Sequence, residues 1–377
     1  MHVSSKSIAL GVLSLSCLGC DPDPKNVGNG LESGGSSESG GADDGAMGWQ
    51  HELPLGEVVF KAAAMPDGGL VVSTLDYLNF QGSRIIRYAP DGTVSWEQQV
   101  GSQLHALATL DDGRIIAAGM AYDGVQSVAA LWRLSPEGSI EALHEFPRPG
   151  AFEFSNGDVR DLVVSDAGVA YVVHNNGEDL VVPRAQLYWS GLDLVPQWSW
   201  EEFTVTPDDV AILPSGELRT IERPTGSYED DVLLRSFSPT GMLLGTAMLP
   251  SGKFADDAPL IEVGRSNEGV WARGIEGTSD LELSYAQADF GFTSGLVASN
   301  GAGLGLVVLA EDQHYVALQH GPGEMSREEI LPSPCLEQPV LSDVVVVPDG
   351  SMYVVGFCLQ GVDPQERRGF VLQLPSP

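Results

Sequence analysis

Two kinds of turn signal recur at a spacing of about 45 residues, and this repeat limits the folds open to the chain more than any other feature. Residues 104–146 carry the clearest unit, in which four short apolar segments are joined by an Asp-Gly turn, a polar loop and a Pro-x-Gly turn. Glycine supplies the positive φ that tight hairpin turns need, and proline presets the φ of the turn. Four short strands at this spacing are typical of one blade of a β-propeller.

Both turns recur along the chain. The glycine of the first turn is found at Gly68, Gly113, Gly168, Gly216, Gly269 and Gly350, with a non-glycine version near Asp312-Gln313. The second turn is found at residues 88–92, 134–138 and 237–241, with a looser copy at 189–193. We therefore predict an all-β fold, a β-propeller of seven four-stranded blades over residues 49–377. Six or eight blades are the alternatives, because the stretch after residues 314–320 is one strand short in this pattern.

The two ends of the repeat complement each other. Residues 49–53 resemble the fourth strand of a blade, because Trp49 stands ahead of a first turn much as Trp96 and Trp200 do. Residues 369–374 end the chain at what should be a third strand. We expect these two segments to pair and close the ring, which removes the open sheet edges that invite aggregation.

The first twenty residues have the pattern of an export signal. Lys6 precedes an apolar run from Ile8 to Leu18, which is too short for a membrane-spanning helix of about 20 residues. The Gly-Cys ending at Cys20 resembles a bacterial lipoprotein signal, and this resemblance implies that Cys20 becomes the lipidated N-terminus. Cys17 is an alternative lipidation site, and an ordinary cleaved signal is an alternative to lipidation.

Residues 21–48 are rich in Gly, Ser and Asp and nearly free of apolar side chains. Such a segment cannot bury enough surface to order itself, so we expect a disordered tether between the lipid and the propeller.

The remaining cysteines, Cys335 and Cys358, are 23 positions apart. An exported protein meets an oxidising compartment, so we predict a disulfide between them; two buried free thiols are the alternative.

Parts of the repeat resemble known families. The segment DDGRIIAAGM followed by LWRLSPEGS, within residues 104–146, is similar to the delta-sixty repeat of bacterial surface and secreted propellers. Residues 92–96 resemble the Gly-x-x-x-Trp docking turn of quinoprotein-like propellers, which include lipoproteins of outer-membrane assembly. These resemblances imply a lipid-anchored propeller at the bacterial cell envelope, on the outer membrane or the cell surface.

Charge excludes some partners. The chain has 52 Asp and Glu against 19 Lys and Arg, a net charge of −33. Nucleic acid and anionic lipid both need clustered basic residues, so we expect no nucleic-acid partner and membrane contact through the lipid anchor only. Neutral or basic partners fit this charge.

Catalytic motifs are few. The seven histidines are scattered in the sequence without an HExxH motif, and no catalytic residue or cofactor is assigned. Acidic clusters such as residues 228–231 offer oxygen ligands for Ca²⁺, although solvated acidic loops are the favoured interpretation.

Loop lengths point to a binding face. Both repeated turns are tight and should share one face, so the long connections emerge on the other, where rigid scaffolds commonly carry ligand sites. The candidate ligand-face residues in these connections are Tyr77, Phe80, Tyr122, Phe152, Phe154, Arg160, Tyr228 and Phe254. We expect a monomeric binding or interaction module whose partner is a protein or glycan at the cell envelope. The alternative is a calcium-dependent hydrolase or lyase with its site in the central channel.

Overall fold

The chain forms a series of antiparallel β-sheets in a computed structural model. The structure describes residues 48–76, 82–100, 103–122, 127–146, 156–176, 184–201, 207–213, 215–222, 232–249, 261–266, 269–274, 282–285, 296–299, 304–309, 315–320, 326–330, 335, 339–347, 349–359, 366–374 and 376. Within these residues there are 27 β-strands and no helix long and apolar enough to cross a membrane. The expected signal and most of the expected tether lie outside the described residues.

The first four sheets follow the chain order, four strands each. Sheet 1 consists of β2 (Glu57–Ala64), β3 (Leu70–Asp76), β4 (Ser83–Tyr88) and β5 (Val94–Gln99). Sheet 2 consists of β6 (Gln103–Thr109), β7 (Ile115–Tyr122), β8 (Ser127–Leu134) and β9 (Ile140–Glu145). Sheet 3 consists of β10 (Asn156–Ser165), β11 (Gly168–Asn176), β12 (Arg184–Ser190) and β13 (Pro196–Trp200). Sheet 4 consists of β14 (Pro207–Ile212), β15 (Leu218–Glu222), β16 (Val232–Phe237) and β17 (Leu243–Leu249).

Three further sheets follow. Sheet 5 shows three strands among the described residues: β18 (Ile261–Ser266), β19 (Gly269–Gly274) and β20 (Glu282–Tyr285). Sheet 6 consists of β21 (Leu296–Ser299), β22 (Leu304–Leu309), β23 (Tyr315–His320) and β24 (Ser326–Ile330). Sheet 7 consists of β25 (Pro339–Val346), β26 (Met352–Leu359), β27 (Arg367–Leu374) and, as its outer strand, β1 (Gln50–Leu55).

The pairing of β1 with β27 joins the two ends of the described chain. His51 lies opposite Val371, and the backbone N–H of Gln373 donates to the carbonyl of Trp49 at 3.0 Å. Leu53 is buried in one apolar cluster with Val59 of sheet 1 and Val371 of sheet 7. The first strand of the chain is therefore part of the last sheet and packs against the first.

The strands of the sixth repeat differ from those predicted by the turn pattern. Asp312-Gln313 lies between β22 and β23, the second and third strands, so it is not the first turn of this unit. The stretch expected to be one strand short contains β24, whose sequence SREEI is polar. Outer strands have a solvated face, so a polar outer strand carries no apolar run by which the sequence could reveal it.

Neighbouring sheets share apolar cores. Buried side chains join sheets 1 and 2, sheets 2 and 3, sheets 3 and 4, sheets 6 and 7, and sheets 7 and 1. β20 of sheet 5 also contacts β22 and β23 of sheet 6. Strands covered on both faces, such as β3, are buried almost throughout, and this explains their continuous apolar runs.

An indole ring packs on the Pro-x-Gly turn of the next sheet at three junctions. Trp96 of β5 lies on Gly138, where an added Cβ would come within 2.7 Å of the ring, and its Nε1 donates to the carbonyl of Pro136 at 2.8 Å. Gly138 is thus required both by its φ of 87° and by the ring that covers it. The equivalent contacts join Trp49 to Pro90 and Gly92, and Trp198 to Pro239 and Gly241.

At the junction of sheets 2 and 3, the outer strand contributes a small residue and the turn contributes a large one. Ala142, four residues after Gly138, stands where sheets 1 and 3 have Trp96 and Trp198, and Leu194 stands at the position of the turn glycine, with φ 65°. The turn predicted at residues 189–193 places this position one residue earlier, at Asp193. Leu194 is fully buried in the cluster against which Ala142 packs. Leucine is strained at positive φ, and its burial against a small alanine offsets that cost.

The predicted disulfide is present. Cys335 and Cys358 are bonded, with their Cα atoms 5.4 Å apart. Cys358 is buried in β26, so the bond fastens the segment before β25 to the second strand of sheet 7.

The packing of Ala142 on Leu194 predicts that two destabilising substitutions, when combined, partly restore the unfolding free energy. Ala142→Trp should overpack the junction and Leu194→Gly should leave a cavity, so each single variant should lose about 1–3 kcal/mol of unfolding free energy. The double variant restores the indole-on-glycine arrangement and should be more stable than the sum of the single effects by about 1 kcal/mol or more. Denaturant unfolding of the four proteins measures this coupling, and additive losses would contradict the exchange.

Candidate functional site

In six of the seven described sheets, the first strand contacts the first strand of a neighbouring sheet and is the innermost strand. β6 lies against both β2 and β10, β14 lies against β10, and β25 lies against both β2 and β21. In a propeller, sheets surround a central channel, so these mutually contacting strands line it.

Each of five innermost strands contains a β-bulge at the same position. The pairing with the second strand skips one residue in sheets 1, 2, 3, 4 and 7. The skipped residues, which we call the bulge set, are Phe60, His105, Arg160, Asp208 and Ser342. Each stands eight residues before the glycine of its first turn. Bulges often re-aim a side chain beside a functional site.

Side chains of the bulge set are accessible where they are described. Phe60, His105 and Ser342 are half-buried, and Arg160 is exposed. Other positions of these strands are half-buried as well, for example Lys61 in β2, Leu107 in β6 and Leu341 in β25. The bulge therefore presents one partly accessible side chain from each of several neighbouring sheets.

Carboxylates next to the bulges tie the innermost strands together. Asp161 Oδ2 accepts the backbone N–H of Val210 in sheet 4 at 2.8 Å. Asp343 Oδ2 accepts the backbone N–H of Ala62 in sheet 1 at 3.0 Å and lies 3.8 Å from Lys61 Nζ. Both aspartates directly follow a bulge residue, so the same position links one sheet to the next at two junctions.

A third aspartate lacks such a backbone partner. Asp158 of β10 has a side chain only 5% exposed; its Oδ2 lies 2.9 Å from Nε of Arg160, and its Oδ1 lies 3.6 Å from Nε2 of His105 in sheet 2. The second distance is too long for a hydrogen bond. His174 stands opposite Asp158 on β11 and is buried as well. We call these residues, Asp158, Arg160, His105 and His174, the channel cluster.

Several buried atoms of the channel cluster have no hydrogen-bond partner among the described residues. They are Asp158 Oδ1, His105 Nε2 and both ring nitrogens of His174. An unpaired buried polar atom costs about 1–3 kcal/mol, so a group of them at one place is unusual for a purely structural core.

Burial sets the protonation states of the cluster. Desolvation raises the pKa of Asp158 to about 6, although the Arg160 charge opposes the rise. Desolvation lowers the pKa of His105 to about 4, assisted by the charges of Arg160 and Lys61. The pKa of His174 is also lowered to about 4, mainly by desolvation and then by Arg160. At neutral pH the imidazoles are therefore uncharged, and the close approach of His105 to Asp158 is not an ion pair.

The cluster lies at the end of the channel where the long connections emerge. Asn156 and Asn176 pair at the open end of the β10–β11 hairpin, whereas the tight turn joins Ser165 to Gly168 at the other end. Asp158 and His174 are two residues from that open end. Residues 147–155 and 177–183, which precede and follow this end of the hairpin in the sequence, lie outside the described residues.

Of the residues proposed from the sequence, Arg160 is the one that the structure brings into this cluster. It lies in β10 and not in a loop as expected, because the strand begins at Asn156. Tyr122 also lies in a strand, at the end of β7, and its side chain is outside the described residues. The other expected ligand-face residues, Tyr77, Phe80, Phe152, Phe154, Tyr228 and Phe254, lie outside the described residues.

Sequence reasoning missed Phe60, His105, Asp158, His174 and Ser342. The scattered histidines are predicted to be separate structural residues, yet His105 approaches Asp158 at 3.6 Å and His174 lies opposite Asp158 on β11. The signal that could have found the bulge set is the constant eight-residue distance to the turn glycine.

Within the described part of the chain, no group of three His, Cys, Asp or Glu side chains is placed to hold a metal ion. The expected acidic loop at residues 228–231 lies outside that part.

Comparison with known proteins supports the fold. A family model described as "Domain of unknown function (DUF5122) beta-propeller" matches residues 110–142, within sheet 2. No curated protein sequence matches significantly. Together with the antiparallel four-stranded sheets, the family match shows that this is a β-propeller protein.

Three solved structures are similar over most of the chain. The Dos1 propeller is 9% identical, over 85% of this chain and 79% of that one, with a TM-score of 0.45. The WD40 domain of SCAP from fission yeast is 10% identical, over 86% and 87%, with a TM-score of 0.44. A Dyadobacter fermentans protein described as of unknown function is 12% identical, over 86% and 95%, with a TM-score of 0.42.

The raised pKa of Asp158 predicts a pH-dependent gain from its removal. A folded-state pKa above the unfolded value means that ionisation destabilises the fold at high pH, and that this cost disappears as pH falls through 6 toward 4. Asp158→Asn should therefore raise the unfolding free energy relative to the unaltered protein by about 2–3 kcal/mol more at pH 8 than at pH 4.

Denaturant unfolding at both pH values measures this difference. Asp166→Asn, which removes an exposed carboxylate from the turn of the same hairpin, is the control. A gain for Asp158→Asn that is equal at both pH values would contradict the assigned ionisation.

Proposed function

We propose that this protein is an exported, lipid-anchored, seven-bladed β-propeller that binds a partner at the mouth of its channel, at the cell envelope. The observation that carries the proposal is the channel cluster, with its unpaired buried polar atoms beside the partly accessible bulge set. The cluster stands at the end of the channel where the long connections emerge, so a partner that contacts those connections also reaches it.

A closed ring of seven blades is supported by the order of the sheets. Seven sheets are present among the described residues, and apolar cores or strand contacts join all consecutive pairs except sheets 4 and 5, for which the described residues give no shared core. β1 supplies the outer strand of sheet 7 and packs near sheet 1. A ring explains this arrangement, because it leaves no sheet face unpaired.

The binding role is favoured over catalysis by the composition of the innermost strands. Lys61 and Arg160 alternate with Asp343 and Asp158, so cations stand beside the carboxylates that a calcium ion would need. A calcium-dependent hydrolase requires several oxygen ligands that converge on one point. A calcium-dependent hydrolase or lyase remains an alternative prediction, which rests on the acidic segments of the sequence.

Photo-crosslinking tests where the partner binds. The full-length chain is expressed in the producing cells with p-benzoylphenylalanine in place of Phe60, and separately in place of the exposed Leu244 on β17. We expect a discrete crosslinked species from position 60 and none from position 244. The same species from position 244, or none from position 60, would contradict binding at the channel mouth.

Anchoring rests on Cys20 and on the tether after it. Cys20→Ser should abolish incorporation of a labelled fatty acid and release the protein from the membrane fraction, because the thiol is the attachment atom. Cys17→Ser is the matched control and should retain both label and membrane association. Label on the Cys20→Ser variant would contradict the assignment.

A further inference from the structure

The bulge set combines an aromatic ring with hydrogen-bonding groups on consecutive innermost strands. In the order of sheets 7, 1, 2, 3 and 4, its members are Ser342, Phe60, His105, Arg160 and Asp208. The side chain of His105 is 19% exposed and that of Arg160 is 43% exposed. Ligand sites typically join an apolar or aromatic surface with a few placed polar groups, and this arc has that composition.

The two described cations near the arc are each paired with a carboxylate. Arg160 is bound to Asp158 at 2.9 Å, and Lys61 lies 3.8 Å from Asp343. His105 is uncharged at neutral pH. Asp161, next to Arg160, adds a carboxylate that accepts the backbone N–H of Val210. The described side chains around the arc therefore offer no unpaired positive charge, which disfavours an anionic ligand.

The polar groups suit hydroxyls. A neutral imidazole and a serine hydroxyl each donate and accept, and a guanidinium donates several hydrogen bonds. An alcohol group also donates and accepts at a single atom, so it can satisfy either partner. A ligand that carries several hydroxyls and one apolar C–H face matches both the polar members of the arc and Phe60.

We propose that the bulge set binds a neutral saccharide, one unit of which stacks its C–H face on Phe60, and which exchanges hydrogen bonds along its length with His105, Arg160 and Ser342. The inference rests on the proposed function and names its ligand class. Asp158 acts as a positioning residue, because it holds the Arg160 guanidinium at 2.9 Å.

Saturation-transfer NMR with the full-length protein tests the ligand class. The probes are four neutral disaccharides (maltose, cellobiose, lactose and diacetylchitobiose), and a hexalysine peptide represents a basic partner. We expect transfer to the ring C–H protons of at least one disaccharide, with a dissociation constant in the millimolar range or tighter.

Two conservative variants and one control identify the site. Phe60→Leu keeps apolar volume but removes the ring, and His105→Gln keeps hydrogen bonding with a different geometry; each should weaken saccharide binding about tenfold. Val94→Ala, at an exposed position on the outer strand β5, should leave binding unchanged. Equal thermal midpoints for the four proteins show that folding is intact.

The outcomes separate the two proposals. Transfer from none of the disaccharides, or equal transfer with Phe60→Leu and His105→Gln, overturns the saccharide assignment. If hexalysine binds instead and these variants weaken it, the ligand class is wrong while the channel mouth remains the binding site. A failure of the position-60 crosslink overturns the proposed function itself.

Discussion

Packing between neighbouring sheets is the interaction on which the rest of the structure depends. A four-stranded sheet of this size has two faces to cover, and buried clusters shared with adjacent sheets cover them. The outer strands add an indole on the next Pro-x-Gly turn, and the innermost strands add a carboxylate on the next backbone N–H. Residues from separate repeats meet in the channel cluster because of this packing.

The aspartates of the innermost strands show how one residue type serves two purposes. Asp161 and Asp343 each accept a backbone N–H from the following sheet, and this bond compensates for burial of the charge. Asp158 is held by Arg160 but has one unpaired oxygen, and its pKa is raised to about 6. Asp161 and Asp343 stabilise the junctions, whereas Oδ1 of Asp158 is available to accept a further hydrogen bond. Buried carboxylates with a raised pKa are concentrated where proteins bind ligands or react.

Much of the fold could be predicted because turn chemistry is local. The glycines at 68, 113, 168, 216, 269 and 350 precede or begin second strands in the structure, and the pairing of β1 with β27 agrees with the incomplete repeats at the two ends. For sheet 6, the predicted strand count and first turn are wrong, because its outer strand is polar and its first turn differs from the others. Leu194 could not be foreseen at a glycine position, since its partner Ala142 comes from another sheet.

The site was harder to predict than the fold. A bulge is a property of the register between two strands, and register is not visible in one strand's sequence. Phe60, His105 and Ser342 therefore resembled ordinary strand residues, and Arg160 was assigned to a loop. Asp158 and His174 became a pair only when β10 and β11 were aligned.

The imidazole proton resonances of the histidines test the central claim, that the bulge set forms one ligand site. His105 belongs to this set, whereas His51 and His144 lie on the outer strands β1 and β9. On titration of the full-length protein with the disaccharides, the account predicts that the His105 resonance shifts and saturates while those of His51 and His144 do not. Shifts at His51 or His144 with a stationary His105 would contradict it.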